Sequence, residues 1–163
     1  MLDMTKKIAR RRVTGGLVAV AALMLAAPVP LAPAQAAELE FADPPPGFDT
    51  PRKIMLQLTS DDEKTVNNVL WNAINLQKFY GFDNVQLAIV AYGDGMKALY
   101  KDSPVAERIE NQLKFNIEYI GCKNTMDTTD RAPDDLIEGV EWVQAGIAAI
   151  VERQLDGWVY IAP

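Results

Sequence analysis

The chain has 163 residues, of which 49% are hydrophobic and 23% charged, and its formal net charge is −6. This length and composition predict one globular domain rather than a disordered chain. The sequence has one cysteine and no histidine, which excludes histidine catalytic pairs, histidine metal sites, internal disulfides and four-cysteine metal sites. Carboxylates alone could bind a metal, but no calcium-loop or metalloprotease spacing is present, so we expect neither a metal nor a cofactor.

Residues 1–36 have the features of a cleavable signal peptide. Five basic residues lie between positions 6 and 12, and an apolar run follows at 17–27. That run is shorter than the roughly 20 residues that a membrane-spanning helix needs. Ala34-Gln35-Ala36 then offers the small-x-small pattern of a cleavage site. The arginines at 10–12 admit the twin-arginine route, whereas Thr14 does not fit that pattern well, so both this route and the Sec route stay open.

Without residues 1–36 the chain carries 11 basic and 21 acidic residues, a net charge of −10. So acidic a chain argues against binding to nucleic acid or to anionic membranes, because both need basic patches. Together with the signal peptide, this predicts a soluble periplasmic protein. An unpaired thiol is unusual in that oxidising compartment and indicates an intermolecular bond or a reactive role.

The exported part begins with a proline-rich linker, residues 37–51, and continues as a domain over 52–163. Residues 53–58 are apolar and predict a first strand. Ser60 and Glu63 match a capping box, which predicts a helix of about five turns ending at Gly81. Residues 85–92 predict a second strand, nearly continuous in apolar residues, as expected for a strand covered on both faces.

The Gly93-Asp94-Gly95 segment after the second strand suggests phosphate binding, but no third glycine follows at dinucleotide spacing, so a turn is favoured. Ser103-Pro104 predicts the start of a second helix. Further strands are predicted over 116–120, 140–143 and 158–161, with a short helical turn within 125–131 and a helix over 145–155. Alternating strands and helices predict an α/β fold with a mostly parallel sheet covered on both faces.

Cys122 follows the third strand, and the carboxyl ends of strands are where α/β folds place reactive groups. Backbone N–H groups of a helix beginning near Asn124 and Thr125, and the cation of Lys123, would favour its thiolate. A cysteine protease needs a histidine base and a disulfide exchanger needs a second thiol, and this chain has neither. Holding a sulfane sulfur atom as a persulfide needs neither. A lone cysteine is also commonly a small buried hydrophobe, and this alternative stays open.

Several segments carry a family resemblance. Strand-G-C-K-N-T-M at 121–126, D-D-L-I-E-G-V-E-W-V-Q-A-G-I at 134–147 and L-D-G-W-V-Y-I-A-P at 155–163 resemble the DsrE/DsrF-like family. L-A-I-V-A-Y-G-D-G-M-K-A-L at 87–99 is similar to its second strand and glycine-containing loop. The resemblance covers residues 53–163. It implies a three-layer α/β/α domain with five strands, assembly into homo- or hetero-oligomers, and a cysteine at position 122 that carries sulfur in a relay.

These observations lead us to expect a periplasmic sulfur carrier that holds a persulfide on Cys122. The residues expected to shape its pocket are Lys123, Asn124, Thr125, Gly93 and Gly95. A homo-oligomer and a periplasmic sulfur-transfer protein are the expected partners. Two alternatives remain: a non-catalytic binding or assembly module with a structural Cys122, and a redox-responsive protein that forms an intermolecular disulfide.

Overall fold

The computed structural model describes residues 39–163, so the predicted signal peptide lies outside the described residues. The described part of the predicted linker contacts the first helix. The ring of Phe41 lies 5.6 Å from that of Phe79 and 5.9 Å from that of Tyr80, centroid to centroid. The Arg52 guanidinium also donates a hydrogen bond of 2.5 Å to the carbonyl of Ala42.

Five parallel strands form one sheet. They are β1 (Arg52–Leu58), β2 (Val85–Ala91), β3 (Ile117–Cys122), β4 (Glu141–Val143) and β5 (Val159–Ile161), in the spatial order β4-β3-β2-β1-β5. The chain thus moves from β1 outward to β4 and then returns to the opposite side of β1. The predicted α/β class and five-stranded sheet are confirmed.

Within residues 39–163, four α-helices connect the strands: α1 (Glu63–Tyr80), α2 (Ala106–Leu113), α3 (Lys123–Thr128) and α4 (Gly146–Leu155). Short 3-10 segments span Phe82–Asn84, Gly93–Leu99 and Pro133–Asp135. None of the helices between residues 39 and 163 has the length and apolar character to cross a bilayer.

The predicted start of α1 was wrong in one detail. Asp62, not Ser60, is the N-cap residue, and its carboxylate accepts a 2.9 Å hydrogen bond from the backbone N–H of Thr65. Ser60 accepts instead from the N–H of Asp62, at 3.1 Å. Asp62 immediately precedes the first helical residue, and a cap must lie at that position for its oxygen to reach the free N–H groups of the first turn.

The two faces of the sheet are covered unequally. A large cluster of buried side chains joins α1 and α2 to one face and includes Leu70, Ile89, Ile109 and Tyr119. The other face has a small buried cluster, formed by Met55, Val90, Ile120 and Ile150. Ile150 belongs to α4, a helix of 10 residues, and among residues 39–163 no other helix contributes to this cluster.

The segment Gly93–Leu99 crosses closely over the carboxyl end of β1. A Cβ atom added to Gly95 would lie 2.1 Å from the carbonyl oxygen of Leu58, too close for any other residue. Glycine at this position therefore brings the segment down onto the edge of the sheet at which Cys122 lies.

Candidate functional site

Cys122 lies where one strand ends and two helices begin. It is the last residue of β3 and the N-cap residue of α3, and α4 starts beside it at Gly146. The residue is 6% exposed. Its thiol lies 3.8 Å from the carbonyl oxygen of Gln144, and its backbone N–H donates to the sulfur of Met96 at 3.1 Å.

The surroundings of the thiol favour its anion. Burial raises the pKa of the Cys122 thiol, but the nearby donor groups lower it, namely the N–H of Gly146, the hydroxyl and N–H of Thr125 and the N–H of Asn124, and the net pKa is below its usual value. Hydrogen bonds to the charged form of a group stabilise that form. Cys122 is therefore more readily ionised than a free thiol.

Thr125 connects the thiol to the glycine-containing loop. Its hydroxyl oxygen accepts a 3.0 Å hydrogen bond from the backbone N–H of Gly93. Because that N–H occupies a lone pair, the hydroxyl hydrogen remains available to the sulfur of Cys122. Gly93 has a φ of +56°, a left-handed conformation that favours glycine. Gly95 has a different role, since it lies against the backbone of β1.

Asn124 holds the two helix starts together. Its backbone N–H donates to the carbonyl of Gln144 at 3.0 Å, and its side-chain oxygen accepts from the amide of Gln144 at 2.6 Å. The loop that precedes α4 is thereby fixed to the first turn of α3. Asn124 thus positions the N–H groups around the sulfur.

The Lys123 side chain does not fold back toward the sulfur. Its ammonium group pairs with Asp127 one turn along α3, a favourable spacing for an ion pair on a helix. It is not among the groups that lower the pKa of Cys122. The prediction that the Lys123 cation stabilises the Cys122 thiolate therefore has no support in the structure.

Gly146 was not among the predicted site residues, although it begins α4 beside Cys122. A Cβ atom added there would be 3.2 Å from the Cβ of Cys122 and 3.4 Å from that of Tyr92. The absence of a side chain lets the start of α4 reach the thiol. The Ala-Gly-Ile sequence at 145–147, with glycine inside a predicted helix start, was the available signal.

A polar row runs across the neighbouring strands. The side-chain amide of Gln57 on β1 donates to the hydroxyl of Tyr92 at 2.5 Å, and the hydroxyl of Tyr160 on β5 donates to the carbonyl oxygen of Gln57. Burial, followed by the proximity of Tyr160, raises the pKa of Tyr92. The row ends between β1 and β5, where the strand order reverses and where open α/β sheets commonly bind ligands.

A cavity of about 630 Å³ adjoins the site. Gly93, Met96, Thr125 and Tyr100 are among its lining residues, but Cys122 is not. Because Met96 and Thr125 both contact Cys122, a molecule in the cavity would lie one residue away from the sulfur. The cavity is thus a neighbour of the thiol rather than its own pocket.

Comparison with known proteins gives structural relatives. No family model matches the sequence, and no curated protein matches it. The protein of unknown function MTH1491 from Methanobacterium thermoautotrophicum is 31% identical, with a TM-score of 0.67 over 69% of this chain and 99% of that one.

Two further structures show the same fold at lower identity. The ychN protein from E. coli is 19% identical with a TM-score of 0.58, and the match covers 69% of this chain and 99% of that one. The conserved protein of unknown function BT1422 from Bacteroides thetaiotaomicron is 20% identical with a TM-score of 0.57, over 68% and 94% of the two chains.

Proposed function

The chain belongs to the MTH1491-type proteins of the DsrE/DsrF-like fold, and from this premise we propose that it carries sulfane sulfur as a persulfide on Cys122. The observation that carries the proposal is the position of the Cys122 thiol, at the carboxyl end of β3 and beside the starts of α3 and α4, whose N–H groups lower its pKa. No base and no second thiol are needed for this chemistry. The donors stabilise a negative charge at the sulfur, whether it is a thiolate or a persulfide.

The transfer is a pair of nucleophilic displacements at sulfur. The Cys122 thiolate attacks the outer sulfur of a donor persulfide, the donor S–S bond breaks, and the donor leaves as its thiolate. An acceptor thiolate then attacks the outer sulfur on Cys122, and the Cys122 thiolate is regenerated. Each step exchanges one S–S bond for another, so neither an oxidant nor a reductant is consumed.

Intact mass spectrometry tests the proposal directly. Incubation with a low-molecular-weight persulfide should add mass in steps of one sulfur atom, and a thiol reductant should remove that mass. The Cys122→Ser variant should gain nothing. Equal gain by the wild type and by this variant would overturn the proposal.

A non-catalytic module is the second candidate, because Cys122 is only 6% exposed. In that case its thiol would be a packing group, and the native protein would resist alkylation until it unfolds. Rapid labelling of the native protein by iodoacetamide would eliminate this candidate. The redox-responsive alternative predicts a dimer band on non-reducing gels that the serine variant lacks.

We also propose that the protein acts in the periplasm, as a homo-oligomer, with a periplasmic sulfur-transfer protein as acceptor. Support for self-association comes from α4, whose outer side exposes Ile147, Val151 and Leu155 at helical spacing. Light scattering should give a mass above that of one chain, and Val151→Asp should reduce it. A monomer in the wild type would remove the oligomer from the proposal.

A further inference from the structure

Within the described part of the chain, three arginines stack on aromatic rings: Arg108 on Trp71 at 4.4 Å, Arg131 on Tyr100 at 4.0 Å and Arg153 on Trp158 at 4.4 Å. Two of them also pair with a carboxylate. The distances are 2.5 Å from Arg131 to Asp102 and 2.6 Å from Arg153 to Glu118. Arg108 is different, because no carboxylate between residues 39 and 163 lies within 4.0 Å of it.

The polar contacts of Arg108 are incomplete. One terminal nitrogen donates to the side-chain oxygen of Asn67 at 2.7 Å, and the other, Nη2, is buried without a hydrogen-bond partner. Burial lowers the pKa of Arg108, partly opposed by Tyr119, but a guanidinium stays charged in proteins. Arg108 is partly buried and has no counter-charge, and a buried donor atom without a partner is unfavourable, so an anion would complete this site.

Two cavities flank Arg108 along α1 and α2. One has a volume of about 510 Å³, and Asn67, Lys97 and Ser103 are the uncharged or basic polar residues in its lining beside Arg108. The other has a volume of about 430 Å³, and Trp71, Ile74 and Phe115 give it an apolar side. An anionic group at Arg108 could therefore have an apolar substituent beside it.

Acidic side chains restrict the charge of such a ligand. Asp61, Glu63 and Glu107 line the two cavities. Asp61 is paired with Lys97 at 2.6 Å, whereas Glu63 and Glu107 are exposed. These carboxylates repel any anion, and they repel a multiply charged anion such as a phosphate monoester most strongly, so the ligand that fits best carries one negative charge close to Arg108.

We propose that Arg108 anchors a binding site for a small monocarboxylate with an apolar tail. The carboxylate pairs with the guanidinium, and the tail lies against Trp71 and Phe115 in the apolar cavity. The site is independent of Cys122 and of sulfur transfer, because it is formed by α1, α2 and the residues that flank these helices.

A ligand series on the wild-type protein tests the proposal without any substitution. Hydrocinnamate carries both the carboxylate and an apolar ring, hydrocinnamamide lacks the charge, and acetate lacks the ring. At about ten times its dissociation constant, hydrocinnamate should raise the melting temperature by roughly 3–6 °C. Saturable binding by calorimetry should be seen for hydrocinnamate only. Equal binding of the amide, or no saturable binding of the acid, would overturn the proposal.

Two matched variants locate the site. Arg108→Gln should weaken hydrocinnamate binding by roughly tenfold or more, because a charge-assisted pair is lost. Arg153→Gln removes the other arginine that stacks on a tryptophan at 4.4 Å, and it should leave the affinity unchanged. Unchanged affinity in Arg108→Gln, or equal losses in both variants, would contradict the assignment. Circular dichroism shows whether each variant remains folded, and the ligand series remains decisive if one does not.

Discussion

The two faces of the sheet differ in what they contribute. The face under α1 and α2 holds the large buried cluster, whereas the face under α4 holds only Met55, Val90, Ile120 and Ile150. Cys122 lies at the carboxyl end of β3, and Gly146, the first residue of α4, approaches it. We infer that the face under α1 and α2 supplies most of the stability, and that α4 contributes to the low pKa of the Cys122 thiol.

The largest effect should come from deleting one isoleucine side chain on each face. Ile109 on α2 is 0% exposed and Ile150 on α4 is 3% exposed. Ile109→Ala should lower the free energy of unfolding by about 4 kcal/mol and Ile150→Ala by about 2 kcal/mol, within the range for such deletions. The difference is expected because the small cluster under α4 has fewer buried neighbours, which can move in to fill a cavity more easily.

Urea unfolding of both variants measures these losses. The slope of the transition serves as the control, since equal slopes mean that the surface exposed on unfolding is unchanged. A larger loss for Ile150→Ala than for Ile109→Ala would reverse the comparison, and α4 would then be a main source of stability.

A smaller but more specific effect is expected at Gly146. In Gly146→Ala the new methyl group would lie 3.2 Å from the Cβ of Cys122, a crowded distance that should push the start of α4 away from the sulfur. Moving the N–H of residue 146 away from the sulfur raises the pKa of the thiol. A rise of one pKa unit corresponds to about tenfold less thiolate at neutral pH. Iodoacetamide labelling should slow accordingly.

Ala148→Ser, on the exposed side of the same helix, is the matched control and should label at the wild-type rate. Because the effect is on ionisation, the difference between Gly146→Ala and the wild type should shrink at high pH. A pH-independent difference would mean that the methyl group blocks access rather than changing the pKa.

The pH dependence of stability provides a third test. Because the pKa of Cys122 is lower in the folded state than in the unfolded state, the folded protein loses the thiol proton at a lower pH. Stability should therefore rise with pH between the folded pKa and the unfolded value of about 8.5, and this contribution should vanish at lower pH. Cys122→Ser lacks it. The melting temperature of the wild type relative to this variant should increase as the pH rises, and a decrease would show that burial dominates.

The fold was accessible from the sequence because its signals are local. Apolar runs bounded by Gly81 or Gly157 marked the elements, and their alternation predicted the parallel sheet. The N-cap was misassigned because Ser60 and Asp62 both have suitable side chains, and only the actual start of α1 distinguishes them. The thiol's partners are harder to predict, since Gln144 is 22 residues away in the chain and meets Cys122 only after β4 forms.

Substitution of Lys123 should have the smallest effect on the labelling rate. It distinguishes activation of the thiol by the Lys123 cation from activation by the backbone N–H groups of α3 and α4. Sequence proximity suggested that its cation stabilises the thiolate, whereas in the structure its ammonium group pairs with Asp127. If backbone donors from α3 and α4 are responsible instead, Lys123→Gln should change the labelling rate at neutral pH by less than about twofold, because an exposed ion pair has a weak influence. Asp127→Asn frees the ammonium group without removing it and should also leave the rate nearly unchanged. A large loss in Lys123→Gln alone would show that the cation reaches the sulfur in solution, and the thiol would then depend on a side chain of α3 more than on the approach of α4.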